Sequence, residues 1–223
     1  GPCAFMDRFD ARKVFSSIDR MGRYAYNRQP DIAVWNLAQF ATCLLPQISA
    51  NRDEAIDLAT QAVHRFPERF ADAWLAVFRA KLGLRADPDD EDLAEADSHL
   101  INDFLQALQT GQGDFTNSFA ALPWDQAALA LTDPAPLVPW RQAYDRRIAD
   151  QGGPDLEAMH RANPRVIPRN HRIEDMIAAA VAGDFAPFRR LLETVTRPFD
   201  RAPEHLTRPP NPDEEVLQTF CGT

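Results

Sequence analysis

The chain has 223 residues, of which 45% are hydrophobic and 26% are charged, and this is enough to bury the core of one large or two small domains. Its formal net charge of -9 repels a phosphate backbone, so we expect no nucleic-acid partner. No apolar run approaches the roughly 18 residues that span a bilayer, so we expect no membrane-spanning segment.

Apolar residues recur at helical spacing along most of the chain, beginning directly after Pro30. The spacing predicts helices, in chain order, at 31–48, 51–66, 74–82, 93–108, 140–151, 173–181 and 188–195. The first of these should be mostly buried, and Pro67 should close the second. No stretch alternates with a period of two for long enough to indicate a sheet. The sequence therefore predicts an all-α, mainly helical fold.

Three segments interrupt this helical pattern. Residues 85–92 form an acidic, proline-containing break, and residues 122–139 carry four prolines that cannot sustain one regular element. The tail after Pro198 is rich in proline and should be irregular. These segments divide the chain into stretches of helix with connections between them.

The three cysteines, Cys3, Cys43 and Cys221, are an odd number at wide and irregular spacing. This pattern favours reduced thiols in a cytoplasm over a disulfide framework. The first six residues contain no charged region followed by an apolar stretch, so they do not indicate a secretory signal. Because the sequence does not begin with methionine, we also expect it to be part of a longer protein.

No motif within the chain indicates catalysis by this segment alone. Gly111 and Gly113 resemble part of a phosphate-binding loop, but the preceding strand and the third glycine are missing, which favours a helix terminator. The alternating acids at 87–91 lack the glycine of a calcium loop, and no two histidines have the spacing of metal ligands on a helix. The tryptophans are assigned to packing.

A segment around Gly22 contains Asp19, Arg23, Tyr24 and Tyr26 without an apolar stripe. Polar and aromatic residues in such a segment are typical of an ordered loop held by one or two buried ion pairs. We therefore expect an ordered loop between the start of the chain and the first helix.

Several long strings of residues resemble the selenoprotein O family, in the same order as in that family. They are GPCAFMDRFD at the start, SSIDRMGRYAYNRQPDIAVWNLAQFA from residue 16, GDFTNSF from residue 113, NPRVIPRNHRIEDMIAAAVAGDFAPFRRLLETVTRPFD from residue 163, and the ending TFCGT. One departure lies at Asn27 and Arg28, where the family pattern usually reads GRYAYGNQP.

The resemblance implies a protein-kinase-like fold in a bacterial, cytoplasmic enzyme that moves AMP from ATP to Ser, Thr or Tyr hydroxyls of protein substrates, with ATP and Mg²⁺ as cofactors. Gly1 and Pro2 look like the end of the family's Asp-Tyr-Gly motif, whose metal-binding aspartate would then precede Gly1. The catalytic, nucleotide-binding and metal-binding residues are accordingly expected before Gly1, with none in this chain. Alone, the chain is expected to be inactive and to bind no cofactor tightly.

By the same resemblance, the chain would be the C-terminal lobe of the kinase-like fold, followed by family-specific C-terminal helices. The implied division is an activation-segment-like region at 1–30, a helical core of the lobe at 31–121, a proline-rich connection at 122–139, C-terminal helices at 140–198 and an irregular tail at 199–223. Gly1, Asp19 and Arg23 are the candidate residues of the activation-segment-like region. The expected partners are protein substrates and the missing N-terminal kinase-like portion, in an otherwise monomeric protein.

The ending Cys221-Gly222-Thr223 matches a redox position of the family, where some members have selenocysteine. An accessible tail thiol can form a reversible disulfide, and Cys3 is the cysteine nearest the expected active site, so a pairing of Cys3 with Cys221 is one hypothesis. A free tail cysteine without a role is the alternative. For the chain as a whole, the alternative to the enzyme is a helical module that binds a partner through aromatic faces.

Overall fold

The computed structural model describes residues 5–218 and is mainly helical over this range, as predicted. The α-helices of these residues are α1 Gln29–Ile48, α2 Arg52–His64, α3 Phe66–Leu82, α4 Glu91–Thr110, α5 Phe115–Ala121, α6 Leu137–Asp150, α7 Leu156–Ala162, α8 Asn170–Val181, α9 Ala186–Val195 and α10 Glu204–Thr207. Within residues 5–218 there is no strand, and β-type pairing is limited to an isolated antiparallel bridge between Arg8 and Asp114.

Side-chain caps begin several of these helices. Asn51 accepts hydrogen bonds from the backbone amides of residues 53 and 54 at the start of α2, and Asp90 accepts one from Leu93 at 2.8 Å at the start of α4. The sequence predicted that Pro67 closes α2, but Pro67 lies in the first turn of α3 instead. Proline is tolerated there because the first amides of a helix have no partner within the helix.

The core forms around α4, which packs against α3 and α6. Phe104 on α4 is fully buried and contacts Trp140 on α6, with their ring centroids 4.4 Å apart. Asp97 lies on α4 and is also fully buried. Its carboxylate accepts hydrogen bonds of 2.7 Å from Arg79 on α3 and from Arg147 on α6. These contacts fix three helices by apolar burial and by one shared carboxylate.

The hairpin of α1 and α2 lies beside this core rather than within it. Of the 20 residues of α1, only Ile32 is buried, so the prediction of a mostly buried helix is wrong within this chain. The helix packs mainly on α2 and only slightly on α3, which leaves much of its apolar surface exposed.

The sequence reading missed the short helices α5, α7 and α10, and it gave the connection at 122–139 no regular structure. That connection contains two 3₁₀ turns, Leu122–Trp124 and Ala127–Ala130, and its last residues already belong to α6. Helices of two turns or fewer show too few apolar repeats for the period to be recognised. In residues 5–218, no helix combines the length and the apolar character needed to cross a membrane.

Candidate functional site

Residues 7–9 lie beside the N-terminal end of α5 and are held there by main-chain hydrogen bonds. The amide of Phe9 donates to the carbonyl of Gly113 at 2.9 Å, and the amide of Phe115 donates to the carbonyl of Asp7 at 2.7 Å. Phe9 is buried and stacks on Phe115, with ring centroids 5.7 Å apart. Residues 7–9 are therefore part of the core.

After residues 7–9 the chain forms a loop that leaves the core and returns to contact its own start at Ala11 and Lys13. The amide of Tyr26 donates to the carbonyl of Lys13, and the amide of Asn27 donates to that of Ala11, at 3.0 and 2.9 Å. The Ala11 amide in turn donates to Oε1 of Gln109 on α4. Burial raises the pKa of Tyr26, whose ring meets Phe9 edge to face. Residues 12–25 thus form a loop whose two ends are fixed side by side.

Asp19 and Arg23 organise the outer part of this loop. The two carboxylate oxygens of Asp19 accept hydrogen bonds of 2.8 Å from the amides of Arg23 and Tyr24. Gly22 supplies the left-handed turn between them, with φ +63°. The guanidinium of Arg23 lies 4.4 Å from the ring centroid of Trp35 on α1.

The expected ordered loop is therefore confirmed, but the expected buried ion pairs are not what holds it. Among the described residues, Asp19 bonds to backbone amides and Arg23 contacts an aromatic ring. A carboxylate satisfies several amides at once in a tight turn, which is why it can replace an ion pair there.

A buried ion cluster lies where this segment meets α5 and the residue before α8. The guanidinium of Arg169 is 1% exposed and bonds both carboxylate oxygens of Asp114, at 2.7 and 3.1 Å, as well as the carboxylate of Asp7. Asp114 also caps α5 by accepting a bond of 2.8 Å from the amide of Asn117. One cation therefore ties together three distant parts of the chain.

The titration of the cluster follows from its burial and its bonds. Burial raises the pKa of Asp114, while the hydrogen bond and the charge of Arg169 act in the opposite direction. Burial alone would lower the pKa of Arg169, but its hydrogen bonds to Asp114 and Asp7 and the charges of both carboxylates together raise it. Two carboxylates share one guanidinium, so the cluster of Asp7, Asp114 and Arg169 stabilises the charged form of Arg169 and carries a net negative charge.

Two cavities lie beside the segment, and Arg8 lines both of them. The first, of about 370 Å³, lies between Arg8, Asn117 on α5 and Pro209 of the tail. The second, of about 140 Å³, is lined by Lys13 and His171 among others. The His171 ring is buried, both of its nitrogens lack a hydrogen-bond partner within the described residues, and burial lowers its pKa.

The sequence motifs considered for metal or phosphate binding can be compared with the structure of residues 5–218. Residues 5–218 contain no group of three or more His, Cys, Asp or Glu side chains placed to hold a metal ion. Gly111 ends α4, and its carbonyl accepts bonds from the amides of Thr132 and Asp133, so it is a helix terminator as predicted. Gly1, Cys3 and Cys221 lie outside the described residues.

Sequence reasoning found the loop residues Asp19 and Arg23 but missed Asp7, Asp114 and Arg169. The one local signal was Asp114, which precedes a polar and aromatic run in the manner of a helix cap. Nothing near Arg169 indicates burial, because arginine is rarely buried unless it is paired and its partners lie 55 and 162 residues away.

The chain is similar to known proteins over its whole length. The family model described as protein adenylyltransferase SelO matches residues 1–196. Proteins named protein nucleotidyltransferase YdiU are 48% identical in Ruegeria sp. (strain TM1040), 49% in Jannaschia sp. (strain CCS1) and 42% in Geobacillus kaustophilus (strain HTA426). Each match covers 100% of this chain but only 46%, 47% and 46% of the relative, respectively. The chain thus spans about half the length of these relatives, and it belongs to the SelO family of protein adenylyltransferases.

Proposed function

We propose that this chain is the C-terminal, acceptor-side half of a protein adenylyltransferase. The observation that carries the proposal is the family match over residues 1–196, together with a chain length of about half that of the relatives. In the proposed reaction, a Ser, Thr or Tyr hydroxyl of a protein substrate attacks the α-phosphorus of ATP. The bond from the hydroxyl oxygen to phosphorus forms, the bond to the β-phosphate breaks, pyrophosphate leaves, and the hydroxyl proton passes to a base or to solvent.

The residues that bind the nucleotide and magnesium are proposed to lie in the half of the full-length protein that corresponds to the unmatched part of the relatives. Within residues 5–218 no three His, Cys, Asp or Glu side chains are placed to hold a metal ion. The role of the described residues is to position the loop 12–25, which is part of the activation-segment-like region 1–30 of the proposed kinase-like lobe. Its fixed ends and its Asp19 turn support that role, because a preorganised loop costs less entropy when a protein substrate binds.

The proposal is tested with a chimera in which the matched half of the Ruegeria relative is replaced by this chain. ATP labelled at the α-phosphate should label protein in the presence of the chimera and Mg²⁺, whereas ATP labelled at the γ-phosphate should not. The isolated chain is the matched control and should give no label. Transfer of the γ-label, or equal α-labelling by the isolated chain, would contradict the proposal.

A pairing of Cys221 with Cys3 remains a separate proposal about regulation. Phe5 and Leu217, which are close in sequence to these cysteines, line one cavity of about 200 Å³. We expect mass spectrometry of the chimera under mild oxidant to find a Cys3–Cys221 disulfide, and a Cys43→Ser variant to leave that product unchanged. Cys221 recovered as a free thiol would remove the hypothesis.

A further inference from the structure

Helix α1 carries two apolar stripes, and within residues 5–218 only one of them is covered by another helix. Ala38, Ala41 and Leu45 face α2 and line the groove between the two helices. The second stripe runs at i, i+3, i+7 and i+11 through Leu37, Phe40, Leu44 and Ile48, all of which are exposed, with Phe40 at 60%. We call these four residues the outer face of α1.

The outer face lacks the charges that normally keep an exposed helix in water. From Ile32 to Ile48 the sequence contains no Asp, Glu, Lys or Arg, although 26% of the chain is charged. A solvated helix carries charged or polar residues on its outward side, whereas a helix that is apolar on several sides is a buried one. The composition of α1 is therefore that of an internal helix, and the structure of this chain covers one side of it.

The relatives indicate what covers the other side. Aligned over its full length, this chain accounts for 46% of the Ruegeria protein, so more than half of that protein is additional polypeptide. A membrane surface is a poorer occupant, because helices that lie on a bilayer carry Lys and Arg on their polar side and α1 has none between residues 32 and 48.

We propose that the outer face of α1 is the surface on which the other half of the full-length protein docks. This proposal rests on the proposed function only in taking the chain to be one half of such a protein. The docking buries Leu37, Phe40, Leu44 and Ile48 and turns α1 into a core helix of the complete enzyme.

The experiment is a binding assay between this chain and the half of the Ruegeria relative that the chain does not match, co-expressed and purified through a tag on one partner. The variants Phe40→Asp and Leu44→Asp each place a carboxylate in the proposed interface, and we expect each to reduce recovery of the partner at least tenfold. Val138→Asp is the matched control, because Val138 is 57% exposed on α6, and it should leave recovery unchanged.

Two further measurements keep the outcomes distinct. Circular dichroism of each variant checks that the helices are retained, and Phe40→Leu, which keeps the apolar surface, should restore binding. Recovery of the partner by Phe40→Asp at the level of the unmodified chain would overturn the proposal. So would the absence of any binding, or a self-association of this chain that Phe40→Asp abolishes, since the face would then be occupied by a second copy.

AMP transfer by the co-purified halves separates this proposal from the proposed function. If the halves associate through α1 but transfer no AMP, the docking surface stands and the proposed function fails. If they transfer AMP and the Asp variants bind and transfer equally well, the proposed function stands and the docking surface is elsewhere.

Discussion

Replacing Arg169 by methionine should destabilise the protein more than any change to a surface ion pair. The change leaves the carboxylates of Asp114 and Asp7 next to each other without their shared cation, and the Asp114 side chain is only 3% exposed. Removing one partner of a buried ion pair costs about 3–5 kcal/mol. The whole protein has a free energy of unfolding of about 5–15 kcal/mol, so this loss is a large fraction of its stability.

The assay is urea unfolding followed by circular dichroism, with thermal unfolding as a second measurement. For a chain of this length, a loss of 3–5 kcal/mol lowers Tm by about 6–20 °C. Arg161→Met is the control, because the ion pair of Arg161 with Glu157 is exposed, at 68% and 80% of the two side chains, and should contribute below about 1 kcal/mol. Arg169→Met/Asp114→Asn should recover part of the loss, since asparagine has no charge to strand and can still cap α5.

Equal losses for Arg169→Met and Arg161→Met would refute this reasoning. The reasoning would also be refuted if the loss of stability in Arg169→Met/Asp114→Asn equalled the sum of the losses in Arg169→Met alone and in Asp114→Asn alone. In either case, the stability of the segment around Asp7 would come from the stacking of Phe9 on Phe115 and from the main-chain bonds, not from the ion cluster.

Three further predictions concern other parts of the fold. Burial lowers the pKa of Lys81 to about 8, compared with 10.5 in the unfolded chain. Between these pH values the unfolded chain binds one more proton than the folded chain, so the free energy of unfolding should rise by about 2 kcal/mol from pH 8 to 10. Midpoints of urea unfolding measure this rise, and Lys81→Met should abolish it. Gly111→Ala should cost at least about 2 kcal/mol in urea unfolding, because a Cβ there would lie 2.3 Å from the carbonyl oxygen of Asp133, whereas Gly113→Ala, which meets movable leucine side chains, should cost less. Asp19→Ala should speed tryptic cleavage in the loop 12–25, since the amides of Arg23 and Tyr24 lose their acceptor, while Asp175→Ala should not; an unchanged cleavage rate would show that the loop is held by its ends alone.

The longer helices could be predicted from the sequence because their apolar residues recur over more than two turns and several of their ends carry strong signals. Asn51 and Asp90 are such signals, and both cap the helices that follow them. The error at Pro67 has a simple cause, because proline is compatible with the position after a helix and also with the first turn of the next. Only the packing of α3 decides between the two.

The candidate site could be predicted only where its residues are neighbours in the sequence. Asp19, Gly22 and Arg23 form a local turn, and their spacing already indicated an ordered loop. The cluster of Asp7, Asp114 and Arg169 depends on contacts across the whole chain, which no local pattern encodes. The burial of α1 was predicted from a composition that fits an internal helix, but among the described residues α1 packs mainly on α2, and only Ile32 of the helix is buried.

The bond between Asp7 and Arg169 joins residues that are 162 positions apart, and it gives the C-terminal helices a part in holding the first segment. Arg169 immediately precedes α8, and Asp114 begins α5, so both ends of the cluster belong to helix starts whose positions are set by packing. A shift of residues 5–11 would separate the half-buried Asp7 carboxylate from the buried guanidinium of Arg169, which costs more than moving an exposed loop. The loop 12–25 can therefore move only between its fixed ends, and Gln109 on α4 together with the cluster of Asp114 and Arg169 determines where its first end lies.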